Sequence, residues 1–358
     1  MNKINVLICS PLPPPKGGIA TWLHELVEAN NSAQKVNLIT FNTANKRPAG
    51  VYSKLRKAID GFRLIFSQLR NFNQKLKNNR IDIVHLSSSG GFAHFRDLLF
   101  LMMAKLKNIP VVVQLHYGVS DAAYQWMPLS KMALYGLCKY ADNILTLDNS
   151  FSFSSEKKPL LSINGMAPAP IGDLKKEKCI VFVGWIVEAK GIFELVEQWN
   201  NLENKHGWYL KIIGPAQPVE QARLNDKIID DSILYLGELE REKVLNHVAD
   251  ASVFALPSHT EGFPYAILEA MQSELAILAS DVGGINQIFS YGDPGIIIPP
   301  KQSKKLACAL TQLISNPQQT NEFGQSAFQI YSEHFTGLAM LNNLHNCWTS
   351  TLMRDPYA

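Results

Sequence analysis

Cysteine is scarce and scattered in this chain, and long hydrophobic runs are missing. Five cysteines, Cys9, Cys138, Cys179, Cys308 and Cys347, form no Cys-x-x-Cys pair and share no histidine-rich spacing. That argues against a disulfide framework and a structural zinc, and fits free thiols in a reducing cytoplasm. The longest apolar stretch beyond the first residues, DLLFLMMA (97–104), is less than half a membrane span, so no segment is expected to cross a bilayer. The start, MNKINVLICSPLPPPKGG, looks like a signal peptide only until its prolines arrive, and reads as a buried first strand. No G-x-G-x-x-G follows that strand, which weakens any dehydrogenase reading. Asp-x-Asp occurs nowhere, so no such carboxylate pair is on offer to a metal ion, and metal independence is expected. Low-complexity tracts and short repeats are absent as well.

What is present is an α/β grammar written twice. The 358 residues exceed the ~250–300 that a single hydrophobic core usually serves, so two domains are expected. NVLIC (5–9), VNLITF (36–41), IDIVHL (81–86), PVVVQLH (110–116) and NILTL (143–147) read as buried strands between helical stretches. CIVFVG (179–184), YLKIIG (209–214), ILYLG (233–237), SVFAL (252–256), AILAS (276–280) and GIIIP (295–299) repeat the pattern. Continuous apolar strands alternating with helices give parallel sheets covered on both faces, with ligands beyond the carboxyl ends of the strands. We expect an N-terminal Rossmann-like domain over 1–165, a linker over 166–178 rich in Pro, Gly and charge, and a second such domain over 179–333.

One stretch carries the chemistry most directly. SHTEGFPYAILEAM (258–271) follows an apolar strand, and Pro264 suits the first position of a helix. Eight residues at ~100° each are two turns plus roughly 80°, so Glu261 and Glu269 do not share one helical stripe. Glu261 is expected on the loop and Glu269 on the helix body. A helix start with free N–H groups suits an anion or a polar ligand.

These residues resemble the C-terminal signature of the retaining glycosyltransferases of family four, which have the GT-B fold. The family's E-x7-E around a G-F-P turn matches Glu261 and Glu269, and LAILASDVGGINQI (275–288) continues it. KGG (16–18), QLHYG (114–118), ING (163–165), VGWIVEAKG (183–191) and YLGEL (235–239) fall in the family's order. The resemblance implies two doubly wound Rossmann-like domains facing across a cleft, with a last helix over 334–358 crossing back to the first domain. Leu338, Leu341, Leu344, Trp348 and Leu352 give that helix an apolar stripe.

The resemblance also assigns roles. Gly17 and Gly18 would let backbone N–H groups approach a phosphate, where the plain alternative is a tight turn. Lys190 would place a charge on a diphosphate leaving group; on its own it reads as a surface lysine. Glu269 would accept hydrogen bonds from ribose hydroxyls, and the backbone near Leu239 would meet the base. Gly262, Phe263 and Pro264, with Glu261, would read the transferred sugar. His116 ends an apolar strand where an α/β site lies, beside the sugar, to support oxocarbenium-like charge. Two residues depart from the family: Trp185 stands where an arginine is usual, leaving Arg96 or Arg241 as substitutes, and Gln287 replaces a glutamate. Trp185 is then a candidate to stack on the sugar or the base of the donor.

The expected activity is retaining, metal-independent transfer of a hexose from a nucleoside diphosphate sugar to a glycan or lipid-linked acceptor in bacterial-type surface polysaccharide or glycolipid assembly. The nucleotide sugar is a co-substrate, and no cofactor is expected. With no credible covalent nucleophile, same-face displacement is favoured over double displacement. A non-catalytic nucleotide-sugar or glycan-binding module on the same fold is the alternative. Residues 46–80 hold ten Lys or Arg against one acid, Asp60, while the whole chain is only +3, so the remainder is net acidic. Apolar residues recur there at helical spacing, which points to an anionic membrane surface as partner and to a peripheral place on its cytoplasmic face. No base-reading motif accompanies the charge, so nucleic acid is not expected.

Overall fold

Strands that are apolar on both faces find burial only between two layers of helices, and the chain builds this arrangement twice. A computed structural model describes residues 3–12, 17–44, 54–91, 93–116, 128–147, 157–168 and 176–353, with backbone only for 54–60, 62 and 128. It divides into two compact units, Met1–Ala167 with Gly337–Ala358, and Pro168–Thr336. In the first, β1 (Asn5–Ser10), α1 (Gly18–Ala33), β2 (Asn37–Asn42), α2 (Lys54–Asn78) and β3 (Ile83–Ser88) are followed by α3 (Ala93–Lys105), β4 (Val111–Leu115), α4 (Pro128–Tyr140), β5 (Asn143–Thr146) and β6 (Leu160–Leu161). The strands form one parallel sheet ordered β2-β1-β3-β4-β5-β6. Two-residue β6 is the one described strand that apolar pattern did not reveal, because it is too short to have a period.

In the second unit, β7 (Cys179–Val183), α5 (Ile192–Asn200), β8 (Tyr209–Ile213), α6 (Pro218–Lys227), β9 (Ile233–Tyr235) and α7 (Arg241–Asp250) come first. Then follow β10 (Val253–Leu256), α8 (Tyr265–Gln272), β11 (Ala276–Ser280), α9 (Ile285–Phe289), β12 (Gly295–Ile298), α10 (Ser303–Ser315) and α11 (Pro317–His334). The parallel sheet runs β12-β11-β10-β7-β8-β9. Its order reverses between β7 and β10, which pair through Val253 with Ile180 and Phe254 with Val181. The carboxyl ends of those two strands are therefore the switch point, where an open α/β sheet places its ligand site.

The two faces of the first sheet are chemically different. On one, Leu7, Cys9, Val84, Leu86, Val111 and Val113 form a single core with Phe72 and Leu76 of α2, Phe100 and Leu101 of α3, and Leu134 and Leu137 of α4. Phe72 stacks on Phe100 with centroids 4.4 Å apart. Within α2, Gln68, Phe72 and Leu76 are thus inward, whereas Phe66 is outward. On the other face the strands carry polar groups, His85, Gln114 and Asn143, all buried. The last helix, α12 (Gly337–Met353), answers them. Trp348 Nε1–H donates to His85 Nδ1 at 3.1 Å, so His85 carries its proton on Nε2 and donates to Gln114 Oε1 at 3.0 Å. Asn143 Nδ2 donates to Thr351 Oγ1 at 2.7 Å.

The buried face of α12 is Gly337, Met340, Leu341, Leu344, Cys347, Trp348 and Thr351. Leu338 and Leu352, at the ends of the expected stripe, are exposed instead, because the 3.6-residue period rotates them off a face already set by Trp348 and Thr351. Among the described residues no helix is long and apolar enough to cross a membrane.

Candidate functional site

At the switch point of the second sheet the loops after β7 and β10 meet, and two glycines make the meeting possible. Gly191 closes the 3-10 turn Glu188–Lys190 at φ +67°, and a Cβ there would lie 2.0 Å from the carbonyl oxygen of Pro257. No side chain fits, so the two backbones touch. His259 N–H donates to Ala189 O at 2.8 Å and fastens them. The consequence is a contact between residues 71 apart: Lys190 Nζ lies 2.7 Å from Glu261 Oε1, which also accepts from Ser258 Oγ at 2.7 Å. Glu261 is nearly enclosed, its side chain 8% exposed. Behind it, Gly283 at φ +55° would bring a Cβ within 2.3 Å of Glu261 O, and Gly284 N–H donates to Gly262 O at 2.6 Å. The Val-Gly-Gly turn therefore braces Glu261 and Gly262 from below.

Pro264 is the cap of α8 and not its first helical residue, since its ψ of 118° is extended. Glu269 projects from the helix body and pairs with Arg241, Nη2 to Oε1 at 2.9 Å. Arg241 is the first residue of α7, two positions past Leu239, so this pair brings the Leu239 segment close to Glu269. Phe263 is buried against Phe335, with centroids 5.6 Å apart. Trp185, in the loop after β7, is half-exposed. Neither expected substitute for the missing arginine stands unpaired. Arg96 belongs to the first unit, buried on Asp97 Oδ1 at 2.7 Å and Thr43 O at 2.9 Å, and Arg241 is held by Glu269. Gln287 is buried with no hydrogen-bond partner for its amide.

In the first unit, Gly17 caps α1 with extended backbone, and Gly18 begins the helix; no side chain caps it and no acid stands in its first turn. A Cβ on either glycine would meet no atom within 4 Å, so the fold itself does not require glycine there. Lys16, Tyr117 and Gly118, the neighbours in KGG and QLHYG, lie outside the described residues. His116 follows β4, its N–H donating to Ser88 O at 3.4 Å. Its ring stands edge-on to Trp22 at 4.9 Å, and Trp22 stacks on His85 at 5.5 Å. The residue as a whole is part-exposed, yet Nε2 is sealed from solvent without a partner. Burial, and secondarily the neighbouring His85, pushes the His116 pKa down to about 3. The imidazole is neutral at physiological pH. Burial likewise takes His85 down to about 4, against the opposing effect of its Gln114 bond. Ser258, Trp22 and the bracing role of Gly283 had no legible signal beyond their proximity to motif residues.

Residues 168–330 match the model of the glycosyl transferases group 1, and residues 16–151 that of Glycosyltransferase Family 4. Among curated proteins the chain is similar to the putative teichuronic acid biosynthesis glycosyltransferase TuaC of Bacillus subtilis, 29% identical over 38% of this chain and 33% of that protein. It is also similar to the amylovoran biosynthesis glycosyltransferase AmsD of Erwinia amylovora, 28% identical over 43% and 44%. These matches span less than half the length of those relatives. Among solved structures, Anabaena HepE in complex with UDP superposes with TM-score 0.72 at 14% identity over 97% of this chain and 100% of that one. The lipopolysaccharide outer core galactosyltransferase WaaB superposes with TM-score 0.69 at 17% identity over 97% and 99%. At that identity the likeness establishes the fold.

Proposed function

This chain belongs to the family-four, group 1 glycosyltransferases of GT-B fold, and on that premise we propose that it transfers a hexose from a nucleoside diphosphate sugar to an acceptor hydroxyl with retention of configuration. The observation that carries the reading is the Lys190–Glu261–Ser258 cluster at the switch point of the second sheet. Lys190 is held ready by a carboxylate, and a diphosphate competes for it. Glu269 takes the ribose hydroxyls, and the backbone at Leu239 the base. Glu261, with the main chain of Gly262, Phe263 and Pro264, takes the sugar. Trp185, in place of the usual arginine, supplies a flat face for sugar or base. In the first unit Gly17 and Gly18 offer N–H groups to phosphate. His116, neutral because it is buried, offers a hydrogen bond to a sugar hydroxyl.

Displacement takes place on one face, and the departing phosphate receives the acceptor proton. No metal takes part: the sequence lacks the Asp-x-Asp that would bind a metal-bound diphosphate. The acceptor is a glycan or a lipid-linked glycan of surface polysaccharide assembly, as supported by relatives named for teichuronic acid and amylovoran biosynthesis. The basic stretch 46–80 holds the enzyme peripherally at an anionic membrane surface.

The test is incubation with UDP, GDP and ADP sugars and a crude lipid-linked acceptor pool. Nucleoside diphosphate release is followed, and the anomeric configuration of the product is read by NMR. Release with a retained anomer is expected. Tight binding without release would instead mark a nucleotide-sugar-binding module, the reading that the Trp185 replacement favours.

A further inference from the structure

The helix layer formed by α2, α3 and α4 has a second apolar side, turned away from its sheet. In α3, Phe100, Leu101 and Ala104 face the core, while Leu99, Met102 and, just past the helix, Leu106 are exposed. In α4, Leu134, Leu137 and Cys138 face the core, and Leu129, Met132 and Tyr135 recur outward at three-residue spacing. A helix covering a sheet ordinarily carries charge on that side. Here Leu106 is 83% exposed, Phe66 73%, Met132 69% and Leu129 65%.

Cations frame these side chains. Arg63, Arg70 and Lys77 are exposed along the outer side of α2, Lys107 follows Leu106, and Lys139 is exposed near the end of α4. The three helices contain no glutamate, and only two aspartates, Asp60 and Asp97, of which Asp97 is buried on Arg96. An apolar field with a one-sided basic rim is complementary to a surface that is apolar within and anionic at its edge. A second copy of this chain packed through the same face is a poorer match, because it would set cation against cation.

We propose that the outer face of α2, α3 and α4 docks on an anionic lipid bilayer, with Leu106, Leu129 and Met132 entering the headgroup boundary and Arg63 and Arg70 meeting lipid phosphates. This deepens the membrane assignment made above and rests on it only for the cations of α2. It moves the apolar anchor to α3 and α4, since Phe72 and Leu76 of α2 are committed to the core.

Co-sedimentation with phosphatidylglycerol-containing and pure phosphatidylcholine vesicles, at low and high salt and without any sugar, tests it apart from glycosyl transfer. Binding should require the anionic lipid and fall steeply with salt. The variants Leu106→Ser/Leu129→Ser/Met132→Ser and Arg63→Ser/Arg70→Ser should each partition roughly 10- to 100-fold more weakly. All five positions are exposed, so folding should be kept. Val219→Ser/Ile229→Ser, which removes exposed apolar side chains of the second unit, should bind as the parent does. Unchanged binding by the apolar triple variant overturns the inference, and loss only on removing Arg63 and Arg70 would leave the basic stretch standing without it. Equal binding to neutral vesicles overturns it too, as does no binding, or a dimer in sedimentation velocity that the triple variant abolishes while vesicles are ignored.

Discussion

Four glycines allow the close approach of backbones at the switch point to be weighed against backbone conformation alone. Gly191, Gly237 and Gly283 all sit at positive φ, 67°, 70° and 55°. At Gly237 a Cβ would meet nothing within 4 Å, so Gly237→Ala should cost only the left-handed conformation, about 1–2 kcal/mol. At Gly191 the new Cβ would stand 2.0 Å from Pro257 O, and the loop would have to retreat by roughly 1.4 Å to reach van der Waals contact. Overpacking of this kind adds about 1–3 kcal/mol. Loss of the His259–Ala189 bond adds about 0.5–1.5 kcal/mol more. Gly191→Ala should therefore cost about 2.5–6.5 kcal/mol, and Gly283→Ala, pressed against Glu261 O and Gly262 O, a similar amount. Gly17→Ala, with extended backbone and no neighbour, should leave stability unchanged and lower donor affinity alone. Urea denaturation read by hydrogen exchange in peptides from β7 and β10 isolates the second unit from the first. If Gly191→Ala and Gly237→Ala agree within about 0.5 kcal/mol, crowding by Pro257 is not what fixes glycine at 191.

The two motif glutamates should separate kinetically: Glu269→Ala raises the donor KM with little change in kcat, whereas Glu261→Ala lowers kcat, and equal effects of both on both constants would refute the division. Trp348→Phe deprives buried His85 Nδ1 of its donor and should cost about 1–3 kcal/mol, against less than about 0.5 kcal/mol for a substitution at exposed Leu352, both by equilibrium unfolding. The first unit should also be acid-labile. Burial lowers His85 and His94 to about 4 and His116 to about 3, from an ordinary 6.5. Between those values only the unfolded chain takes up the protons, so stability is full above about pH 6.5 and is lost as pH falls toward 4. The loss is about 1.4 kcal/mol per pH unit for each histidine, and unfolding free energies that match at pH 7 and pH 5 would contradict it.

Much of the architecture was legible because it is local. Eleven of the twelve described strands are apolar runs long enough to show their character, and β6 is not. The separation of Glu261 on a loop from Glu269 on a helix followed from the apolar strand before them and the helix-start proline between them, with the helical angle excluding a shared stripe. The ends of elements were less legible: Pro264 reads as a first helical residue but caps α8, a difference decided by one ψ angle. The exposed Leu338 and Leu352 show the same limit, since an apolar stripe states a period and not which of two adjacent faces meets a partner.

Pairings are the least legible layer, because they join residues that no spacing rule connects. Lys190 and Glu261 are 71 positions apart, and His85 and Trp348 are 263 apart. Each pair follows once topology is known. Lys190 leaves β7 and Glu261 leaves β10, strands that are distant in sequence but adjacent at the switch point. His85 sits mid-strand, and its sheet neighbour Gln114 satisfies only one ring nitrogen, so a buried donor for the other must arrive from elsewhere, and α12 supplies it. A polar side chain in the middle of an apolar strand is thus a sequence-level request for a distant partner. His85 and Gln114 make two such requests within their strands and Asn143 a third at the start of β5, all on one face, and His85 and Asn143 are met directly by the last helix. The polar residues that look least suited to the core of the first sheet are the ones that specify where the chain must return.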